Sequence, residues 1–157
     1  VQATNWENAK SIGIIYKIDD ERSFKRVRWY IKEVKKKYGQ RKMIALGYFD
    51  DKTAPPYVSH GLEADYFLKK EVNWFGKPNA KSVDNFVNED FDLLIDLTDY
   101  DCVPLRFVLN KSKAKFKVGK YSEANEKYYD FMIDVQEEGW SHYMEQLDRY
   151  IGMINVG

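Results

Sequence analysis

The chain has 157 residues, which is long enough for one domain with a buried core and short for two. Its 25 basic and 25 acidic residues balance, so no net charge draws it toward nucleic acid or anionic lipid, and we expect neither partner. A single cysteine, Cys102, excludes an internal disulfide and a cysteine-rich metal site, and it favours a reducing, cytoplasmic location.

Targeting signals are not evident in the sequence. No apolar run reaches membrane-spanning length, and the first residues do not have the pattern of a signal peptide. The sequence opens on Val1 rather than methionine, so removal of an upstream targeting segment stays an alternative to the expected cytoplasmic location.

The front of the chain is predicted to lead into one α/β domain. Residues 1–10 are mostly polar apart from Trp6 and read as a lead-in segment, and the domain is expected to cover residues 11–157. Residues 11–18 form an apolar, β-branched run that ends in carboxylates, which is typical of a strand.

Helical periodicity follows this first strand. Apolar residues recur every three or four positions over residues 21–38, and Gly39 follows, so we predict an amphipathic helix that ends there. Residues 41–49 then form a second apolar run that also ends in carboxylates, and this run is predicted as a strand.

The middle of the chain contains weaker signals. A stretch with prolines and a glycine is predicted as a long loop, which is either functional or contains an element of its own. Residues 64–70 are predicted as a short strand and residues 73–78 as an aromatic turn. Residues 82–88 are predicted as a short helix capped by Ser82.

The predicted arrangement of the fold depends on the run Phe-Asp-Leu-Leu-Ile-Asp-Leu-Thr-Asp over residues 91–99. It is short, apolar and without a period of two, which is typical of a strand covered on both faces. A helix is predicted next, over residues 103–110, with a proline in its first turn.

Three elements are predicted in the last third of the chain. Residues 114–118 form a strand that stops at Gly119. The link over residues 120–127 looks too short for a crossover helix, so residues 128–135 are predicted to pair antiparallel at the sheet edge. An apolar stripe predicts a C-terminal helix over residues 140–155.

These elements predict an α/β fold: a three-layer sandwich around a Rossmann-like, mostly parallel sheet of five or six strands, with an antiparallel edge strand and a C-terminal helix. In such an order the first and central strands are neighbours. Because ligands of open α/β sheets bind at the carboxyl ends of the strands, we expect a site near Thr98, if there is one. The same order predicts an acidic rim there, made of Asp19, Asp20, Asp96 and Asp99.

The acidic rim has two interpretations. Gathered carboxylates could hold Mg²⁺, which prefers hard oxygen ligands. Acidic residues at the start of a helix also cap its amides and offset its dipole, and we expect this role for Asp19 and Asp20, with no metal and no cofactor. Carboxylates at this turn would also repel a phosphate, whereas a dinucleotide loop needs glycines there.

Nucleophilic catalysis would have to use Cys102 with His60 or His142. Neither histidine lies in a recognisable motif, and a lone cysteine is more often a small buried hydrophobic residue. We therefore expect no catalytic residue and lean toward a protein that is not an enzyme.

Three aromatic residues fall outside the predicted buried stripes and form a candidate partner patch. Trp29 lies opposite the apolar face of its helix, among lysines, where it either contacts a protein partner or is covered by the Trp6 segment or by lysine stems. Trp74 and Phe75 lie in the aromatic turn. These residues suggest a protein partner or a homo-oligomer.

Three segments also carry a family resemblance: Asn-Trp-Phe-Gly-Lys-Pro over residues 73–78, Phe-Asp-Leu-Leu-Ile-Asp-Leu over residues 91–97, and Ala-Lys-Phe-Lys-Val-Gly over residues 114–119. The chain resembles a small bacterial α/β family of unknown function. Residues 91–119 are, more distantly, similar to a stretch in the N-terminal half of heptosyltransferase-type glycosyltransferases, which implies a shared architecture.

Three hypotheses follow from the sequence. The leading one is a non-catalytic α/β binding or protein-interaction module. The alternatives are a metal-dependent enzyme that uses the acidic rim and a glycosyltransferase-like domain that acts with a partner chain.

Overall fold

Strands and helices alternate along the chain in a computed structural model that describes residues 1–99, 101–136 and 139–156. Residue 157, where the predicted domain ends, lies outside these described residues. The described strands are β1 Ser11–Lys17, β2 Lys42–Phe49, β3 Ala64–Leu68, β4 Leu93–Asp96, β5 Lys117–Lys120 and β6 Phe131–Ile133. The described α-helices are α1 Glu21–Tyr38, α2 Lys81–Val87, α3 Val103–Lys111 and α4 Trp140–Gly152.

The helix α1 begins and ends where the sequence predicts. Asp20 is its N-cap: Oδ1 of Asp20 accepts a hydrogen bond from the Ser23 backbone N–H over 2.8 Å, and Ser23 Oγ accepts one from the Asp20 N–H. Gly39 ends the helix with a φ of 96°, a conformation that favours glycine.

Among the described helices, none is long and apolar enough to cross a membrane.

The six strands form one sheet in the order β3-β2-β1-β4-β5-β6, which is the Rossmann order. All neighbouring strands in this sheet are parallel, with Ile14 of β1 opposite Ala45 of β2 on one side and opposite Ile95 of β4 on the other. The predicted adjacency of the first and central strands is therefore confirmed. All four residues of β4 are buried, because both faces of the sheet are covered.

Two of the described helices cover each face of the sheet. One core cluster joins α1 and α4 to the sheet through residues such as Val27, Leu147 and Ile95. The other joins α2 and α3 to the opposite face through residues such as Phe86 and Leu105. The predicted α/β class and the three-layer arrangement are confirmed by these contacts.

The prediction of an antiparallel edge strand over residues 128–135 is wrong. The edge strand β6 is shorter and runs parallel to β5, with Val118 opposite Phe131. Residues 121–130 return the chain from the carboxyl end of β5 to the amino end of β6 with only a 3₁₀ turn at Glu123–Asn125. A crossover helix is therefore not needed, since this compact link spans the short strands by itself.

Two local predictions also differ from the structure. Gly119 lies within β5 rather than after it, because it pairs with Met132 of β6, and the ring of Tyr129 packs directly on it. Ser82 is not the cap of α2, which begins after Ala80 without a side-chain cap, and Ser82 is instead buried.

Trp6 packs the start of the chain against the rest of the domain. Its indole is fully buried, stacks on Tyr38 with ring centroids 5.5 Å apart, and donates a hydrogen bond from Nε1 to the Asp148 carbonyl over 3.0 Å. Asn5 donates from its side chain to the Ile154 carbonyl. Residues 1–10 thus contribute a large aromatic side chain to the core that α1 and α4 share.

Candidate functional site at the carboxyl edge

The strand order reverses direction between β1 and β4, and this reversal creates a crevice at the carboxyl edge of the sheet. From β1 the chain proceeds outward to β2 and β3, whereas from β4 it proceeds outward to β5 and β6 on the other side. The predicted acidic residues lie at this crevice, since Asp19 and Asp20 follow β1 and Asp96 and Asp99 end or follow β4.

Asp96 is the buried centre of this edge. Only 5% of its surface is exposed, and both of its carboxylate oxygens accept hydrogen bonds. The Thr98 backbone N–H donates to Oδ1 over 2.8 Å, and the Tyr129 hydroxyl donates to Oδ2 over 2.5 Å. Burial raises the pKa of the Asp96 carboxyl above its ordinary value, while the hydrogen bonds from Thr98 and Tyr129 oppose that rise.

A polar cavity of about 180 Å³ opens beside Asp96, between the carboxyl ends of β4 and β5. Its charged and amide lining residues are Asp96, Asp99, Asp101, Arg106, Lys120 and Asn125. Lys120 Nζ lies 3.2 Å from Asp99 Oδ1, and Arg106 pairs with Asp101 and Asn125. Both cations that line the cavity are thus paired with neighbouring side chains. Among the described residues, no ion pair includes the lining carboxylate Asp96.

The acidic rim divides between two cavities. Asp19, Asp20 and Asp99 line a second, smaller cavity of about 110 Å³, whereas Asp96 and Asp99 line the polar cavity. Asp20 caps α1, and Asp19 lies 3.8 Å from Lys17 Nζ. Within the described part of the chain, no group of three or more His, Cys, Asp or Glu side chains is placed to hold a metal ion. The geometry therefore favours capping for Asp20 and ion pairing for Asp19 and Asp99, whereas Asp96 is held by hydrogen bonds alone.

The structure does not bring the candidate nucleophile and the histidines together. Cys102 lies beside the polar cavity at the carboxyl edge, where burial raises the pKa of its thiol. His60 lies before β3, toward the opposite edge, paired with Asp65 and stacked on Tyr66. His142 is on α4, across the sheet from the core cluster that contains Cys102.

The aromatic turn, residues 73–78, presents Trp74 and Phe75 to solvent. Trp74 is 87% exposed and Phe75 is 60% exposed, and their ring centroids lie 3.6 Å apart. Asn73 holds the turn: its Oδ1 accepts from the backbone N–H groups of Phe75 and Lys77, and its carbonyl accepts from the Gly76 N–H. The two aromatic side chains therefore project from a backbone that is fixed by hydrogen bonds.

A contact with α3 fixes the position of the turn on the domain. Gly76 has a φ of 88°, and a Cβ atom on it would lie only 2.5 Å from Cγ1 of Val103. Glycine is needed here both for this backbone conformation and for this close approach. Val103 is itself exposed, so it adds apolar surface beside the turn that carries Trp74 and Phe75.

Trp29 lies apart from the aromatic turn. It is 57% exposed on the outer face of α1, whereas the turn contacts α3 on the opposite face of the sheet. The Trp6 segment does not cover Trp29, since Trp6 is buried against Tyr38. The predicted patch of three aromatic residues is therefore two separate surfaces.

Sequence reasoning missed Tyr129, the hydrogen-bond donor to Asp96, and it missed the ion pairs that Arg106 and Lys120 form beside it. Tyr129 reaches Asp96 by crossing β5 over Gly119, where any side chain would collide with its ring. Gly119, directly after the predicted strand over residues 114–118, was the available signal, because a glycine in a strand often marks a close approach.

Comparison with known proteins places the chain in a family without assigning an activity. No curated protein matches the chain, and no solved structure matches it. A family model matches residues 1–154, nearly the whole sequence. The chain therefore belongs to the family of unknown function DUF6913.

Proposed function

We propose that this chain is a non-catalytic protein-interaction domain and that the aromatic turn anchors its protein partner. The observation that carries the proposal is the pair Trp74 and Phe75, both exposed on a turn that hydrogen bonds hold in place. Exposed tryptophan is costly to hydrate and is enriched among the residues that dominate binding energy at protein interfaces.

Preorganisation of the turn supports the same role. A binding loop that is already ordered loses little conformational entropy on association, so more of the contact energy contributes to affinity. The Asn73 hydrogen bonds and the Gly76 contact with Val103 order this turn before any partner arrives. The exposed side chain of Val103 adds apolar area beside the two rings.

The test compares partners recovered by the intact chain and by a Trp74→Ala/Phe75→Ala variant. An affinity-tagged chain is expressed in its native cells, bound proteins are quantified by mass spectrometry, and self-association is measured by sedimentation. A control variant, Tyr150→Ala, removes an exposed aromatic side chain from α4.

We expect the turn variant to lose its specific partner, or its self-association, by at least about tenfold, while the control retains it. Equal recovery and equal sedimentation for all three proteins would contradict the proposal. A parallel loss in both variants would contradict it as well, since that loss would not depend on the turn.

An enzyme that uses the acidic edge is the second candidate, because a buried carboxylate, Asp96, lines a cavity there. The metal-dependent version has less support, since the described residues gather no set of three potential ligands. Titration with Mg²⁺ or Mn²⁺, repeated on Asp96→Asn, tests it: saturable binding that the substitution abolishes would favour this candidate.

A glycosyltransferase-like domain acting with a partner is supported only by the strand order. Asp20 caps α1 at the first turn. Its carboxylate therefore occupies the position where free backbone amides would have to bind a nucleotide phosphate. Calorimetry with a nucleotide sugar tests this candidate, and measurable heat of binding would favour it.

A further inference from the structure

A stripe of cations surrounds Trp29 on the outer face of α1. Exposed residues recur along this face at alternating spacings of three and four, which places them in one line. We name this line the basic stripe; it consists of Arg22, Lys25, Trp29, Lys32 and Lys36. At the helical rise of ~1.5 Å per residue it extends about 21 Å.

The basic stripe concentrates charge in a neutral protein. The helix α1 contains eight lysines and arginines against two glutamates, whereas the whole chain has no net charge. Its apolar side packs into the core, so the cations lie on the outer side and its flanks. Such a local potential attracts an acidic partner even though the protein as a whole is neutral.

Several of these cations form no ion pair with another described residue of the chain. Lys25 pairs with Glu21, while Lys35 and Lys37 at the flanks pair with Glu63 and Asp148. No ion pair among the described residues includes Arg22, Lys32 or Lys36. These three stripe cations stand on both sides of Trp29, which is therefore an apolar anchor flanked by available charge.

We propose that the basic stripe docks an acidic α-helical segment of a partner protein. Glutamates or aspartates spaced by three and four residues on such a segment would face the stripe cations, and an apolar residue between them would pack on Trp29. This surface is separate from the aromatic turn, so the inference does not depend on the function proposed above.

The form of the stripe favours protein over other anionic partners. Proteins that bind single-stranded nucleic acid offer several stacking aromatic side chains along a groove, whereas this convex helix face offers one. Helices that lie in a membrane surface insert a broad apolar face, whereas the apolar face of α1 is already buried in the core.

The probe is a synthetic amphipathic peptide with glutamates at helical spacing and a leucine among them, labelled with fluorescein. Anisotropy measures its binding to the full chain at about 50 mM and about 300 mM salt, because screening weakens exposed charge contacts. The charge-reversal variant is Lys32→Glu/Lys36→Glu. The control, Lys111→Glu/Lys113→Glu, reverses two exposed lysines at the end of α3 on the opposite face of the sheet.

We expect the intact chain to bind the peptide, with affinity that falls at the higher salt concentration. Stripe reversal should weaken binding by at least about tenfold, and the control reversal should leave it within about twofold. Trp29→Ala should weaken binding severalfold while the salt dependence stays the same, because it removes an apolar contact and no charge. Circular dichroism verifies that each variant is folded.

Three results would overturn the inference. The first is no binding of the peptide to the intact chain, and the second is equal weakening by the stripe and control reversals. The third is tighter binding of the intact chain to a thymidine oligonucleotide or to phosphatidylglycerol vesicles than to the peptide, which would assign the stripe to another class of partner.

Discussion

The hydroxyl of Tyr129 donates a hydrogen bond to the buried carboxylate of Asp96 over 2.5 Å, although a strand lies between the segments that carry the two residues. Tyr129 precedes β6, Asp96 ends β4, and the tyrosine ring crosses the intervening strand β5 directly over Gly119. This contact closes one side of the polar cavity. It also supplies a donor to a carboxylate that few other groups can reach.

Removal of this hydroxyl tests its contribution to stability. Tyr129→Phe should lower the free energy of unfolding by roughly 2 kcal/mol at pH 8, since it takes a hydrogen bond from a buried charged group. At acidic pH, where Asp96 is protonated in more of the folded chains, the loss should be smaller. Urea denaturation at both pH values measures this difference. Tyr121→Phe, at an exposed tyrosine of the same cavity, should change little at either pH.

The raised pKa of Asp96 predicts how stability depends on pH. Because the folded chain holds this proton more tightly than the unfolded chain, whose reference pKa is 3.8, the contribution of Asp96 is fully present below that pH. It is lost as the pH rises through the folded pKa. Asp96→Asn cannot titrate, so its stability relative to the intact chain should increase from pH 4 to neutral pH. A constant difference across this range, measured by urea denaturation, would contradict the assignment.

Gly119 should be essential for the crossing of Tyr129. A Cβ atom at this position would lie 2.3 Å from carbons of the tyrosine ring, so Gly119→Ala must displace the ring. We expect a loss of about 1–3 kcal/mol from the overpacking alone. Because the same displacement breaks the bond to Asp96, Gly119→Ala and Tyr129→Phe combined should cost less than the sum of the single changes. Additive costs in a double-mutant cycle would show that the two residues are not coupled.

The tryptophans should differ sharply in their effect on stability. Trp6→Ala removes a fully buried indole and its hydrogen bond to Asp148, and it should cost about 3–5 kcal/mol. Trp29→Ala and Trp74→Ala remove exposed side chains and should each change stability by no more than about 0.5 kcal/mol. Chemical denaturation of the three variants side by side measures this contrast. A small cost for Trp6→Ala would mean that residues 1–10 contribute little to the fold.

Local signals in the sequence predicted much of the fold. The limits of α1 followed from its periodic apolar residues, its acidic start and Gly39, because these act over a few residues. The central strand β4 was identifiable because burial on both faces requires an uninterrupted apolar run. The direction of β6 was not, since it depends on how residues 121–130 fold back, and the usual expectation of a crossover helix was wrong here.

The edge of the sheet that carries the acidic rim could be predicted, but the grouping of its residues could not. Asp19 and Asp20 lie at the same edge as Asp96 and Asp99 because parallel strands end together, yet they share a cavity with Asp99 and not with Asp96. The bond of Tyr129 to Asp96 joins residues 33 positions apart, so Gly119 could indicate a close approach, but no local pattern identifies the two residues that meet there. The exposure of Trp74 and Phe75 followed from their place in a turn, whereas the hydrogen bonds of Asn73 that fix them did not.

Site-specific photo-cross-linking at position 74 tests the proposed interaction function most directly. A photoreactive phenylalanine analogue replaces Trp74 in the full chain, in its native cells, and a second protein carries the analogue at position 150 on α4. We predict a discrete adduct, with a partner polypeptide or with a second copy of the chain, from position 74 and not from position 150. The absence of any adduct at position 74, or the same adducts from both positions, would contradict the account.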